Sequence, residues 1–132
     1  MGSRLLREGM EAGSVVDVLI VDDQALFRAV ARTVVSMVPG WQVVGEADSG
    51  EDAVAKFVEL RPGVVLMDIN LPGINGIEAT RRILDTEPAA RVVLLSTYAA
   101  DDLPADAQSC GAAGYVRKDD LTPTALRELV PA

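Results

Sequence analysis

The chain has 132 residues, one cysteine and no histidine. It is long enough for a single self-supporting core, cannot form an internal disulfide, and fits a reducing cytoplasm. Without histidine it lacks most general-base chemistry, the usual transition-metal sites and any phosphohistidine of its own.

The net charge is −8, and residues 1–14 carry two Arg and two Glu, which leaves 10 basic and 18 acidic residues in the rest. That balance repels nucleic-acid backbones, and no Lys/Arg stripe with interleaved aromatics opposes it, so direct nucleic-acid binding by this chain is not expected. No apolar run approaches the roughly 18 residues of a membrane span, and MGSRLLREGMEAG lacks the apolar centre of a signal peptide. A cytoplasmic protein with no membrane partner is expected. Residues 1–14 show no periodicity and are set aside as an extension, leaving residues 15–132 as one domain.

In chain order, VVDVLIV (15–21) reads as a buried strand. QALFRAVARTVVSMV follows as a helix with Leu26, Val30, Val34 and Met37 on one face, stopped by Pro39 and Gly40. WQVVGEA (41–47) is a second strand. Ser49, with Asp52 three residues on, makes a capping box for a helix carrying Ala53, Val54, Phe57 and Val58.

Val64–Met67 is an unbroken apolar run that ends on Asp68, with Pro72, Gly73 and Gly76 breaking the chain soon afterwards. GIEATRRILDTE forms the third helix, ended by Pro88. RVVLLS (91–96) is the fourth strand, a weaker helix covers roughly Asp101 to Cys110, and AGYVRK (113–118) is the fifth strand. Cys110 is expected to serve packing. Thr122 as N-cap with Pro123 at the first helical position opens a last helix, TALRELV, ended by Pro131. Five strand–helix units in this order predict an α/β fold with a doubly wound parallel sheet and helices on both faces.

In such a sheet the ligand site lies beyond the C-terminal strand ends. Those ends carry Asp22 and Asp23, then Asp68, then Ser96 and Thr97, then Lys118. Singly, each has a plain explanation: a helix cap, a turn residue, a strand-end hydroxyl, a solvated charge. Together, three carboxylates about 5 Å apart would repel by roughly 3 kcal/mol per pair at an effective dielectric near 20, more than one lysine offsets. A hard divalent cation relieves that repulsion, and Mg²⁺ takes carboxylates, waters and a phosphoryl oxygen. With charge so neutralised, Asp68 becomes a nucleophile suited to phosphorus, which points to covalent phosphoryl transfer.

VLIVDD, LMDINLPGINGIEA, VVLLST and GYVRK, in that order over about residues 15–130, resemble the receiver domains of two-component response regulators. VVGEADSGEDAV and the GIEATRRI helix look most like the LuxR/NarL-type subgroup. The resemblance implies a flavodoxin-like (CheY-like) five-stranded sheet of order 2-1-3-4-5. It matches Asp68 to the phosphoacceptor, Asp22 and Asp23 to the acidic pair that holds Mg²⁺, and the carbonyl of Asn70 to a further ligand. Lys118 matches the lysine that binds a phosphoryl oxygen. Ser96 matches the hydroxyl that moves onto the phosphoryl group, with Thr97 as its competitor, and Tyr115 matches the aromatic that turns inward. Asn70 and Tyr98 match positions that influence how long the aspartyl phosphate survives. Where receivers often carry a cis-proline after the lysine, this chain has Asp119.

The resemblance further implies a phosphorylation switch rather than a turnover enzyme. Its donor is a histidine kinase or phosphotransfer protein acting in trans. Its output is the surface of the fourth helix, fifth strand and fifth helix, roughly Asp101 to Val130, facing a homodimer, an output domain or a downstream protein that controls transcription. The alternative is a receiver-like interaction module that works without phosphorylation. A flavodoxin-type flavin module would share the fold, but Asp22 and Asp23 occupy the loop that would have to cradle phosphate. A haloacid dehalogenase-type phosphatase would place a second acid where Asn70 stands.

Overall fold

A computed structural model describes residues 15–99 and 103–131 of the chain; the extension 1–14 lies outside them. Among the described residues, five strands alternate with five helices. They are β1 (Val16–Val21), α1 (Ala25–Ser36), β2 (Trp41–Ala47), α2 (Gly50–Leu60), β3 (Val64–Asp68), α3 (Gly76–Thr86), β4 (Arg91–Ser96), α4 (Ala105–Ser109), β5 (Gly114–Arg117) and α5 (Pro123–Leu129). A 3₁₀ turn over Lys118–Asp120 follows β5. The sheet is parallel throughout, in the order β2-β1-β3-β4-β5 expected from the sequence.

Because side chains alternate across a strand, each central strand feeds two cores. Leu19 and Val21, Val65 and Met67, Val92 and Leu94 meet Phe57 of α2, Ile77 and Ile83 of α3 and Ala107 of α4. Val18 and Ile20, Val64 and Leu66, Val93 and Leu95 meet Ala31, Val34 and Val35 of α1 and Leu126 of α5. Fully burying a side chain such as Phe57 or Leu126 contributes about 1.5–3 kcal/mol. Cys110 is buried in the first of these cores, a packing residue as expected.

The helix starts follow their caps. Ser49 Oγ accepts the Asp52 N–H, Asn75 Oδ1 the Glu78 N–H and Thr122 Oγ1 the Ala125 N–H. The fourth helix is shorter than the 101–110 expected: Pro104 precedes it, and Gly111 at φ 93° turns the chain away after Cys110. Asp101 and Asp102 lie outside the described residues.

Of the α1 face expected from the sequence only Val34 is buried. Leu26, Val30 and Met37 are exposed, and Phe27, Ala31, Val35 and Val38 face the sheet with Val34. On α2, Ala53 and Phe57 are buried as expected, whereas Val58 points to solvent. Both helices carry apolar residues beyond one stripe, so spacing alone does not choose between overlapping faces.

Candidate functional site

The strand order reverses between β1 and β3, and the C-terminal ends of these two strands deliver Asp22 and Asp68. Both are almost fully buried, at 0% and 3% exposure, while Asp23 beside them is exposed. One carboxylate oxygen from each of the three aspartates lies within 4.8 Å of the others. The β5 end adds Lys118, whose Nζ lies 2.6 Å from Asp22 Oδ2 and 3.4 Å from Asp68 Oδ2. A cavity of about 220 Å³ over this cluster is lined by Asp23, Gln24, Asp68, Asn70, Thr97 and Lys118.

Local hydrogen bonds set the carboxylates in place. Asp22 Oδ1 accepts the Gln24 N–H at 2.8 Å, so this residue turns the chain into α1 and still presents its second oxygen to the site. Asp68 Oδ1 accepts the Asn70 N–H at 3.2 Å. Burial pushes the Asp68 carboxyl up to about 6, with the Asp22 charge adding to the effect and Lys118 and the Asn70 N–H opposing it. A single ammonium, that of Lys118, faces the three carboxylates.

The donor set fits a hard divalent cation on two further grounds. Asp22 Oδ2 is buried with no aligned hydrogen bond among the described residues; Lys118 Nζ is close enough for an ion pair but is not directed along a hydrogen bond. Every available donor is oxygen, as Mg²⁺ requires.

The hydroxyl candidates separate. Thr97 is exposed and lines the cavity, whereas Ser96 is buried at the end of β4, where its Oγ accepts the Tyr98 N–H at 3.1 Å. The Tyr98 carbonyl in turn accepts a hydrogen bond from the Tyr115 hydroxyl. The Ser96 side chain and the Tyr115 ring are thus joined through the two backbone groups of one residue. No cis peptide occurs among the described residues, so the Lys118–Asp119 bond is trans, and Lys118 reaches both aspartates from the 3₁₀ turn.

Two contributors were not singled out from the sequence. Phe27 carries the Lys118 ammonium over its ring, 4.6 Å from the centroid. Arg28 donates from Nη1 to the Asp22 carbonyl at 2.6 Å and from Nε to Glu46 Oε1 at 3.1 Å, which ties α1, β2 and the Asp22 turn together. Both lie one turn inside α1, where a helix following an acidic strand end reaches back over the site.

Known proteins resemble the chain over nearly its whole fold. Residues 18–130 match the profile of the response regulator receiver domain. The chain is 43% identical over 117 residues to the response regulator GacA of Pseudomonas viridiflava, covering 89% of this chain and 53% of that protein. It is 43% identical over 103 residues to the response regulator UvrY of Escherichia coli strain K12, covering 78% and 47%. The chain therefore spans about half the length of these curated relatives.

Among solved structures, a LuxR-family two-component response regulator from Aurantimonas sp. SI85-9A1 superposes with a TM-score of 0.78 at 35% identity, over 87% of this chain and 81% of that one. The signal receiver domain of NarL from Mycobacterium tuberculosis superposes with a TM-score of 0.79 at 29% identity, over 91% and 100%. With an acidic cluster at the switch point of a 2-1-3-4-5 sheet and a profile match over nearly the whole fold, the chain belongs to the response regulator receiver domain family, in its LuxR/NarL-type subgroup.

Proposed function

We propose that the chain is a phosphorylation switch whose phosphoacceptor is Asp68. The observation that carries this reading is the meeting of three carboxylates within 4.8 Å with the Lys118 ammonium against two of them. Asp22, Asp23, Asp68 and the Asn70 carbonyl would hold Mg²⁺, which supplies charge neutralisation for the transferring phosphoryl group.

Asp68 attacks phosphorus through a carboxylate oxygen. The bond from phosphorus to the donor's imidazole nitrogen, or to the oxygen of a small acyl phosphate, breaks, and an aspartyl phosphate forms. With its carboxyl titrating near 6, Asp68 is mostly ionised at neutral pH and ready to attack. Lys118 sits where it can take up charge on a phosphoryl oxygen, held over the face of Phe27. The switch releases its phosphoryl group slowly and does not turn over a substrate.

The donor is a histidine kinase or phosphotransfer protein, and because the chain has no histidine of its own, the phosphoryl group comes from a histidine outside it. The signal leaves through the surface of α4, β5 and α5 toward an output domain, a second copy or a downstream protein, and controls transcription there. A phosphorylation-independent interaction module needs no such convergence of acids on a lysine. The test is incubation with acetyl phosphate and Mg²⁺: the intact mass should rise by one phosphoryl group, labile to hydroxylamine as an acyl phosphate is, and chelator should prevent it. A chain that stays unlabelled would favour the interaction module.

Ser96 separates acceptance from transmission. Its hydroxyl is held by the Tyr98 N–H, so moving it onto a phosphoryl group would release Tyr98 and, with it, the Tyr115 contact. Ser96→Ala should still be phosphorylated, because it leaves the nucleophile, the acids and Lys118 in place. The amide shift changes that phosphorylation produces across residues 103–130 should shrink, including those near Tyr115. Wild-type changes across that surface would transfer the role to Thr97.

A further inference from the structure

The loop from Ile69 to Asn75 carries Asn70 into the site, and the first turn of α2 grips its far end. The Ile74 N–H donates to Glu51 Oε2 at 3.1 Å. The Gly73 backbone rests against both oxygens of the same carboxylate: a Cβ added there would lie 2.4 Å from Oε1 and 2.5 Å from Oε2. Gly73 also has φ 74°, a conformation that L side chains rarely adopt. Gly50, the first residue of α2, completes the fit, since a Cβ on it would meet the Ile74 carbonyl oxygen at 2.4 Å.

Neither helix needs this contact for its own formation. The N-terminus of α2 is capped by Ser49 and that of α3 by Asn75, and both bury apolar faces against the sheet. A glutamate in the first turn of a helix is favoured by the dipole wherever its side chain points. Here the carboxylate points across to the loop. The loop is thereby held at both ends, at Asn70 by the Asp68 carboxylate and at Ile74 by Glu51.

We infer that Glu51 is a positioning residue: by fixing the loop it sets the Asn70 carbonyl in advance for Mg²⁺. The inference rests on the function proposed above. A loop that must be ordered at the moment of binding lowers affinity, whereas one already ordered does not. The effect of Glu51 should therefore fall on the metal and leave the attack by Asp68 unchanged once metal is bound.

The test is an NMR titration with Mg²⁺ of wild type, Glu51→Ala and Glu51→Gln, following the amides of residues 68–76. Glu51→Ala should raise the Mg²⁺ dissociation constant about tenfold, the scale on which a group orienting a metal ligand acts. Hydrogen exchange at the Ile74 amide should accelerate. With acetyl phosphate, its labelling rate should return to the wild-type value at saturating Mg²⁺. Glu51→Gln keeps an acceptor for Ile74 without the charge, so its dissociation constant should stay close to wild type.

A Glu51→Ala variant that melts earlier but binds Mg²⁺ as tightly as wild type overturns the inference. So does a Glu51→Gln variant weakened as much as Glu51→Ala, because loss of charge would then account for both. Wild type that binds Mg²⁺ yet takes no phosphoryl group overturns the proposed function instead, and the Glu51 comparison still stands because it is read from metal binding alone.

Discussion

Asp68→Asn should abolish labelling by acetyl phosphate and at the same time make the metal-free chain more stable. The amide has nearly the shape of the carboxylate, so it keeps the packing at the end of β3 and an acceptor oxygen for the Asn70 N–H. It removes the nucleophile, and the labelling rate should drop to background. It also removes a buried negative charge that faces Asp22 across the site.

The sign of the pH dependence follows from the raised value of about 6 against 3.8 for an ordinary aspartate. The folded state holds this proton more tightly than the unfolded chain does. The stability contributed by protonated Asp68 is complete below about pH 4 and is lost as pH rises through about 6. In chelator-treated buffer the advantage of Asp68→Asn over wild type should thus be small at and below pH 4, about half developed at pH 5 and largest toward pH 7, on the order of 1–3 kcal/mol. Thermal or urea denaturation of both proteins at pH 5 and pH 7 measures it. A gap that narrows with rising pH would remove burial and Asp22 as the dominant influences on Asp68.

Gly76→Ala is the second large effect, and here the cause is steric. Gly76 opens α3, and its Cα faces the end of β3: an added Cβ would lie 2.0 Å from the Asp68 carbonyl oxygen and 2.9 Å from Ile69 Cα. Those are backbone atoms, so no rotamer change relieves the contact. Alanine favours a helix over glycine by up to about 1 kcal/mol. Overpacking against fixed backbone costs roughly 3 kcal/mol, so the clash wins. A net loss of about 2 kcal/mol should lower the melting temperature by roughly 5–10 °C.

The carbonyl displaced belongs to Asp68 itself, so labelling should slow as well, by up to about a hundredfold for a shift near 1 Å. Gly63→Ala is the control. A Cβ there meets nothing within 4 Å, and its φ is not positive, so stability should hold or rise by about 0.4–1 kcal/mol. Equal losses in both variants would mean that glycine content, and not the approach of α3 to Asp68, is responsible.

Much of this protein is determined by the sequence alone. Unbroken apolar runs such as Val64–Met67, bounded by turn residues, suit strands covered on both faces, and alternating them with capped helices points to a parallel, doubly wound sheet. That architecture puts the residues just after each strand on one edge, so Asp22, Asp68 and Lys118 were legible as a group before any distance was known. The caps at Ser49 and Thr122 were legible too, because a cap is a local bond between residues three apart.

Only the tertiary structure decided which face of α1 is buried. Leu26, Val30, Val34 and Met37 repeat as regularly as Phe27, Ala31, Val34 and Val38, two stripes that share Val34, and the choice between them depends on how the Asp22 turn aims the helix at the sheet. The supports of the site were equally out of reach. Phe27 meets Lys118, Arg28 meets the Asp22 carbonyl and Glu51 meets Ile74 across separations of 91, 6 and 23 residues, and the two longer contacts exist only once the sheet has brought the strand ends together. Periodicity and capping report on neighbours along the chain. The contacts that orient the aspartates and their loop are made between elements, by charge and close approach, and carry no local pattern.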